Sequence, residues 1–162
     1  MSSHVELTEA GFDPAARFAT FTASLGDEGA VVSFTGRARG TVKDGTAIGA
    51  LILETYRGVT LSSMQAIAGD AHERFAITHS HVVHRAGRIL PGEPIVFVAT
   101  ASPHRRAAFE AADYLMDRLK TEAVFWKREE HGDGVSWIEP TAQDRDDTAR
   151  WLQSEGEENA RN

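Results

Sequence analysis

The stretch from Ser102 to Glu129, SPHRRAAFEAADYLMDRLKTEAVFWKRE, constrains the fold of this chain more than any other. Immediately before it, Ile95 to Thr100 (IVFVAT) is a short apolar run rich in β-branched residues, the pattern of a buried strand. Ser102 followed by Pro103 reads as a helix start, because the hydroxyl accepts from an orphan backbone N–H and proline at the first position loses no needed donor. Phe109, Ala112, Met116 and Leu119 recur at intervals of three and four, which predicts an inward apolar face on a helix from about Pro103 to Lys120. Ala123 to Glu129 reads as a second strand, with Phe125, Lys127 and Glu129 on one face and Val124, Trp126 and Arg128 on the other.

Basic groups gather at both ends of this helix. His104, Arg105 and Arg106 open it, where free N–H groups and the positive end of the macrodipole already attract an anion. Cations there oppose the helix itself, which points to a task other than stability. Lys120 is the reverse case, since a lysine in the last turn complements the dipole and needs no function to explain it.

Asp13-Pro14 is another cap and first-turn pair, and Phe18, Phe21 and Leu25 give that first helix an apolar stripe. Gly29 to Arg39 begins as an apolar strand. If it stays extended, Arg37 and Arg39 share a face, as two solvated arginines or as part of a site. Gly40 to Gly45 is a turn or mobile loop, Ala47 to Tyr56 a strand, and Thr60 to Phe75 a helix with Met64, Ile67, Ala71 and Phe75 on one face. His79, His81 and His84 follow; an H-x-H pair on a strand shares a face, but without a carboxylate or third ligand nearby no metal site is expected. Leu90 to Glu93 and Gly132 to Gly134 are turns, the second leading into a strand with Trp137 and Ile138. Ala142 to Gln153 predicts a last helix anchored by Trp151 and Leu152, and 154–162 a disordered acidic tail.

Helices alternating with paired strands indicate an α+β fold class in which antiparallel strands dominate, as one domain over 1–153. With no cysteine, the chain has no disulfide framework, thiolate nucleophile or Cys-based metal site. No apolar run is long enough to span a bilayer, and the N-terminus lacks signal-peptide regions, so no membrane association and a cytoplasmic location are expected. The net charge of -7 belongs to residues 129–162, while residues 1–128 are balanced. That balance offers no basic stripe for nucleic acid, and it places the acidity away from the basic site.

The strings GAVVSFTGRAR, LETYRGVT, HRAGRILPGEPIVFVATASPHR and DYLMDRLK followed by FWKRE occur in this order from about Gly29 to Glu139. Together they resemble the catalytic (large) subunit family of molybdopterin synthase, the enzyme that inserts sulfur during molybdenum-cofactor biosynthesis. The resemblance implies an α/β hammerhead-like fold with an added small subdomain. It implies a small ubiquitin-like partner whose C-terminal Gly-Gly thiocarboxylate gives sulfur to cyclic pyranopterin monophosphate, and a homodimer within a heterotetramer. No cofactor is implied. It turns Lys120 into the first choice for the catalytic residue, with Lys127 second, and assigns Arg39, His104, Arg105 and, by its place in the basic run, Arg106 to the anionic substrate. Arg128 and Glu129 are expected to support the site. Two departures are the Gly40 to Gly45 loop, where relatives carry an asparagine-containing loop, and Val124, where many carry proline.

Two other readings stay open. One is a non-catalytic module that binds a phosphorylated metabolite or nucleotide at the basic helix start. The other is a phosphoryl or acyl transferase using His104 as base, which lacks an evident Ser or Cys nucleophile.

Overall fold

The computed structural model describes residues 2–159. The apolar run before Ser102 is strand β6 (Pro94–Ser102), buried over nearly its whole length. It is central in a four-stranded sheet of order β1-β4-β6-β2, built with β1 (Ser2–Thr8), β2 (Ala30–Arg37) and β4 (His79–Arg85). β6 runs antiparallel to both β2 and β4, while the edge strand β1 pairs parallel with β4. That strand lies where the sequence reading expected no element. Val5 and Leu7 alternate with His4 and Glu6 and pack against the core, the period-2 pattern of a half-buried strand, a signal that the sequence reading does not use.

Helices cover both faces of this sheet. Helix α1 (Pro14–Ala23) begins as expected at Asp13, whose carboxylate accepts from the Ala15 N–H, and lays Phe21 on Val83, Phe97, Ala99 and Ala101. Helices α2 (Val59–Arg74) and α3 (Arg105–Thr121) pack on the other face, where Met64, Ile67, Ala71, Ala111, Leu115 and Leu119 meet Val82, Val96 and Val98.

The buried stripe of α3 is Ala108, Ala111, Ala112, Leu115 and Leu119, together with Tyr114, and Phe109 is 61% exposed. This corrects the inward face assigned to Phe109. Residue 109 is one step, about 100°, off the stripe. The alanines that occupy the stripe let the helix lie close to the sheet, so the larger ring is left outside.

A second four-stranded sheet has the order β5-β3-β7-β8, from β3 (Ala50–Thr55), β5 (Gly87–Ile89), β7 (Phe125–His131) and β8 (Gly134–Ile138). All of its pairings are antiparallel. Its small core holds Ala38, Leu53 and Ile89 with Phe125 packed against them. The expected α+β class, with antiparallel pairing dominant, is the architecture observed. A buried Arg85 ties the two parts: it bonds Glu93 at 2.7 Å and the Arg88 carbonyl at 3.2 Å, while Gly92 at φ 85° makes the turn.

Helix α4 (Ala142–Asn159) closes the chain on α3 and extends past the expected Gln153 boundary; residues 160–162 of the expected disordered tail lie outside the described residues. Trp151 packs edge-on against Phe75 and Tyr114 as expected of an anchor, but Leu152 is 69% exposed and anchors nothing. No helix among the described residues is long and apolar enough to cross a membrane.

Candidate active site

The basic helix start is built by Ser102. Its buried hydroxyl donates to the Ala76 carbonyl at 2.8 Å and accepts from the His104 N–H at 3.2 Å, fixing the turn from β6 into α3. Ser102 therefore ends the strand, and the capping position falls to His104, with helix from Arg105 and no side-chain cap. The first-turn N–H groups are left without a side-chain acceptor, beside three exposed cationic or polar side chains. His104, Arg105 and Arg106 line an open groove of about 620 Å³ together with Gly29, Pro103, Phe109 and Glu110. A Cβ on Gly29 would stand 2.8 Å from the Pro103 carbonyl oxygen, so only glycine lets β2 approach this closely. Arg105 makes no ion pair among the described residues, and Arg106 meets Glu110 only at 3.8 Å on the exposed helix surface. An exposed pair of that kind contributes little, so both guanidinium groups are available to an anion.

The lysines meet at the other end. Lys120 lies in the last turn of α3 with its ammonium 3.7 Å from Asp144 of α4. Asp144 is oriented by a reciprocal cap: it accepts from the Thr141 N–H at 2.9 Å while its own N–H donates to the Thr141 hydroxyl at 3.1 Å. Burial pushes the Asp144 carboxyl up, but the Thr141 bonds and Lys120 outweigh that and hold it below its ordinary value. Lys127, half-buried on β7, has its ammonium pushed below the usual lysine range, first by burial and then by Lys120, with Asp144 opposing. The two lysines and one carboxylate thus form a cluster where α3, β7 and α4 converge. This corrects the placing of all the acidity away from the site: the C-terminal segment returns Asp144 to it. The Thr141-x-x-Asp144 spacing marks it as a helix-start residue, but only the docking of α4 brings it to the lysines.

The remaining candidates divide. Phe125 stacks on buried His84 at 4.3 Å between centroids, on the face of β7 that carries Lys127. Arg128 faces the other way, bonding Glu54 at 2.9 Å and lying 6.0 Å over the Trp137 ring. Glu129 stands 3.5 Å from His131. Arg37 and Arg39 do not continue one strand: β2 ends at Arg37 with a register shift at Gly36, Arg37 bonds the Gly92 carbonyl at 3.0 Å, and Arg39 is exposed beyond the buried Ala38.

Within one chain the two basic groups are far apart. From Arg105 to Lys120 the helix rises about 22 Å at roughly 1.5 Å per residue. One small substrate cannot touch both from a single copy.

The sequence pattern of the family described as "MoaE protein" matches residues 7–122. This chain belongs to the MoaE family. Its similarity extends to a curated relative in Caulobacter vibrioides, "Molybdopterin synthase catalytic subunit", with 52% identity covering 92% of this chain and 97% of the relative. Among solved structures, the MoaE protein from Burkholderia ambifaria superposes with a TM-score of 0.77 at 37% identity, covering 92% of this chain and 97% of that one. A molybdopterin synthase structure from Staphylococcus aureus gives 0.73 at 27% identity, with 82% and 95% covered. The α+β architecture is that of MoaE proteins.

Proposed function

We propose that this MoaE-family chain is the catalytic subunit of a molybdopterin synthase. It transfers sulfur from the C-terminal thiocarboxylate of a small ubiquitin-like partner to cyclic pyranopterin monophosphate, forming the dithiolene in the cytoplasm. The observation that carries this reading is the Lys120, Lys127 and Asp144 cluster in a chain so similar to named catalytic subunits.

Lys120 lies beside Asp144 and is suited to polarise the acyl carbonyl of the partner's tail. Lys127, with its proton held less tightly, is suited to take a proton as the substrate's carbon–sulfur bond forms and a carbon–oxygen bond breaks; water then cleaves the acyl–sulfur bond, which leaves the sulfur on the pterin and the tail as a carboxylate. His104, Arg105 and Arg106 bind the phosphate, where guanidinium forks and first-turn N–H groups match its oxygens. Arg39 is assigned to the same anionic substrate. Because the two groups sit at opposite ends of α3, the phosphate cradle of one copy serves the lysines of a second copy in a homodimer. The partner tail then enters at the lysine end.

The test is reconstitution of purified chain, thiocarboxylated partner and pyranopterin precursor, with product detected as a fluorescent oxidised pterin. Product is expected with wild type and none with folded Lys120→Ala. Equal turnover by Lys120→Ala would remove the lysine from catalysis, and no turnover by a wild type that still binds precursor would leave a binding module.

A further inference from the structure

The His79 and His81 pair of the sequence does not act as a pair. His79 turns its Nδ1 to Glu28 at 3.0 Å. His81 instead stands directly opposite His4 across the parallel β1–β4 ladder. Side chains alternate along a strand, so Glu6 shares the face of His4, and all three lie under α1, on the side of the sheet away from α3. One ligand atom from each of His4, Glu6 and His81 lies within 4.8 Å of the others. The two imidazoles touch edge to face at 4.7 Å between centroids.

Two facts set this cluster apart from solvated side chains at a sheet edge. His81 is 7% exposed, and its Nε2 is shielded from solvent with no hydrogen-bond partner. A buried ring nitrogen left unpaired is costly and calls for a partner. Glu6 is held by Arg17, whose Nη1 and Nη2 bond its two oxygens. That pair fastens α1 to β1, yet it accounts for neither the orphan nitrogen nor the second imidazole. It also leaves further lone-pair positions on the carboxylate open, and ligating carboxylates are commonly held by such outer hydrogen bonds.

We propose that His4, Glu6 and His81 bind a divalent cation of the zinc class, which clips the edge strand β1 to β4. Two imidazoles and a carboxylate form a donor set suited to zinc. The His4 side chain is 63% exposed with its Nε2 already 3.9 Å from Glu6, so a small rotation of the ring brings it to ligating distance. A cavity of about 460 Å³ lined by His4, Arg17, His79 and His81 opens onto the cluster and admits water as a further ligand. The ion lies across the sheet from α3 and its Lys120, so its role is structural.

The test uses untagged full-length chain stripped with chelator, titrated calorimetrically with Zn²⁺ and spectroscopically with Co²⁺. One equivalent per chain, visible Co²⁺ ligand-field bands and a rise in Tm with Zn²⁺ are expected. His4→Ala, at an exposed position the fold does not need, and Glu6→Gln should each weaken binding at least tenfold, whereas His131→Ala should not. Absence of saturable binding overturns the proposal, as does binding unchanged in both His4→Ala and Glu6→Gln, or binding lost in His131→Ala.

Discussion

Lys127 is kept where a charge is least comfortable. Its lowered proton affinity means that the charged form at pH 7 is penalised in the folded state, and that the penalty vanishes only above the ordinary lysine value. Replacing it by an apolar side chain of similar length should therefore raise stability while removing the proposed proton acceptor. Lys127→Met is expected to have a higher Tm than wild type and no measurable turnover; a lower Tm would make the lysine a structural group. His84 behaves differently. Burial pushes its imidazole down to about 4, with Lys127 adding to the effect, against the ordinary value of 6.5. A depressed folded value contributes stability that is complete above the unfolded value and is lost as pH falls through the folded one. The wild-type Tm should fall between pH 6.5 and about 4, and His84→Phe, which keeps an aromatic ring on Phe125, should flatten that fall. Thermal scans across this range decide it.

At the level of elements, the turn from β6 into α3 sets where the anion cradle points. Ser102→Ala removes two hydrogen bonds from a buried site and should cost on the order of 1–2 kcal/mol, about 3–6 °C in Tm. Gly29→Ala drives a methyl group against the Pro103 carbonyl 2.8 Å away, and should raise KM for the phosphorylated substrate more than it lowers Tm. An unchanged KM in Gly29→Ala would show that the groove does not hold substrate. These elements were legible because capping residues and β-branched runs act locally: α1, α2, β6, β7 and β8 appear close to where their residues ask for them. β1 is marked by the alternation of Val5 and Leu7 with His4 and Glu6, but its parallel pairing is not legible, since its partner β4 lies far along the chain. The same limit hid the cluster of His4, Glu6 and His81. Phe109 shares the helical spacing of an apolar stripe, but the small alanines that let α3 approach the sheet occupy the buried face and leave its ring outside. Asp144 needed the packing of α4 on α3, which Arg150 secures through Asp113 and Asp117 and Trp151 through Asp117.

For the whole molecule, one helix carries two basic ends that cannot meet in a single copy, and the proposed activity needs both. In a two-fold dimer each substrate then draws its phosphate cradle from one chain and its lysines from the other. The decisive measurement is turnover by a mixed dimer, purified through two different tags, of one chain carrying His104→Ala and Arg105→Ala and a second carrying Lys120→Ala. Each homodimer alone should be inactive. A shared centre leaves one site doubly impaired and the other intact, so the mixed dimer should recover about half the wild-type rate, as two equivalent sites in a two-fold assembly require. A mixed dimer as inactive as its parents would contradict the shared centre and confine each set of residues to its own chain.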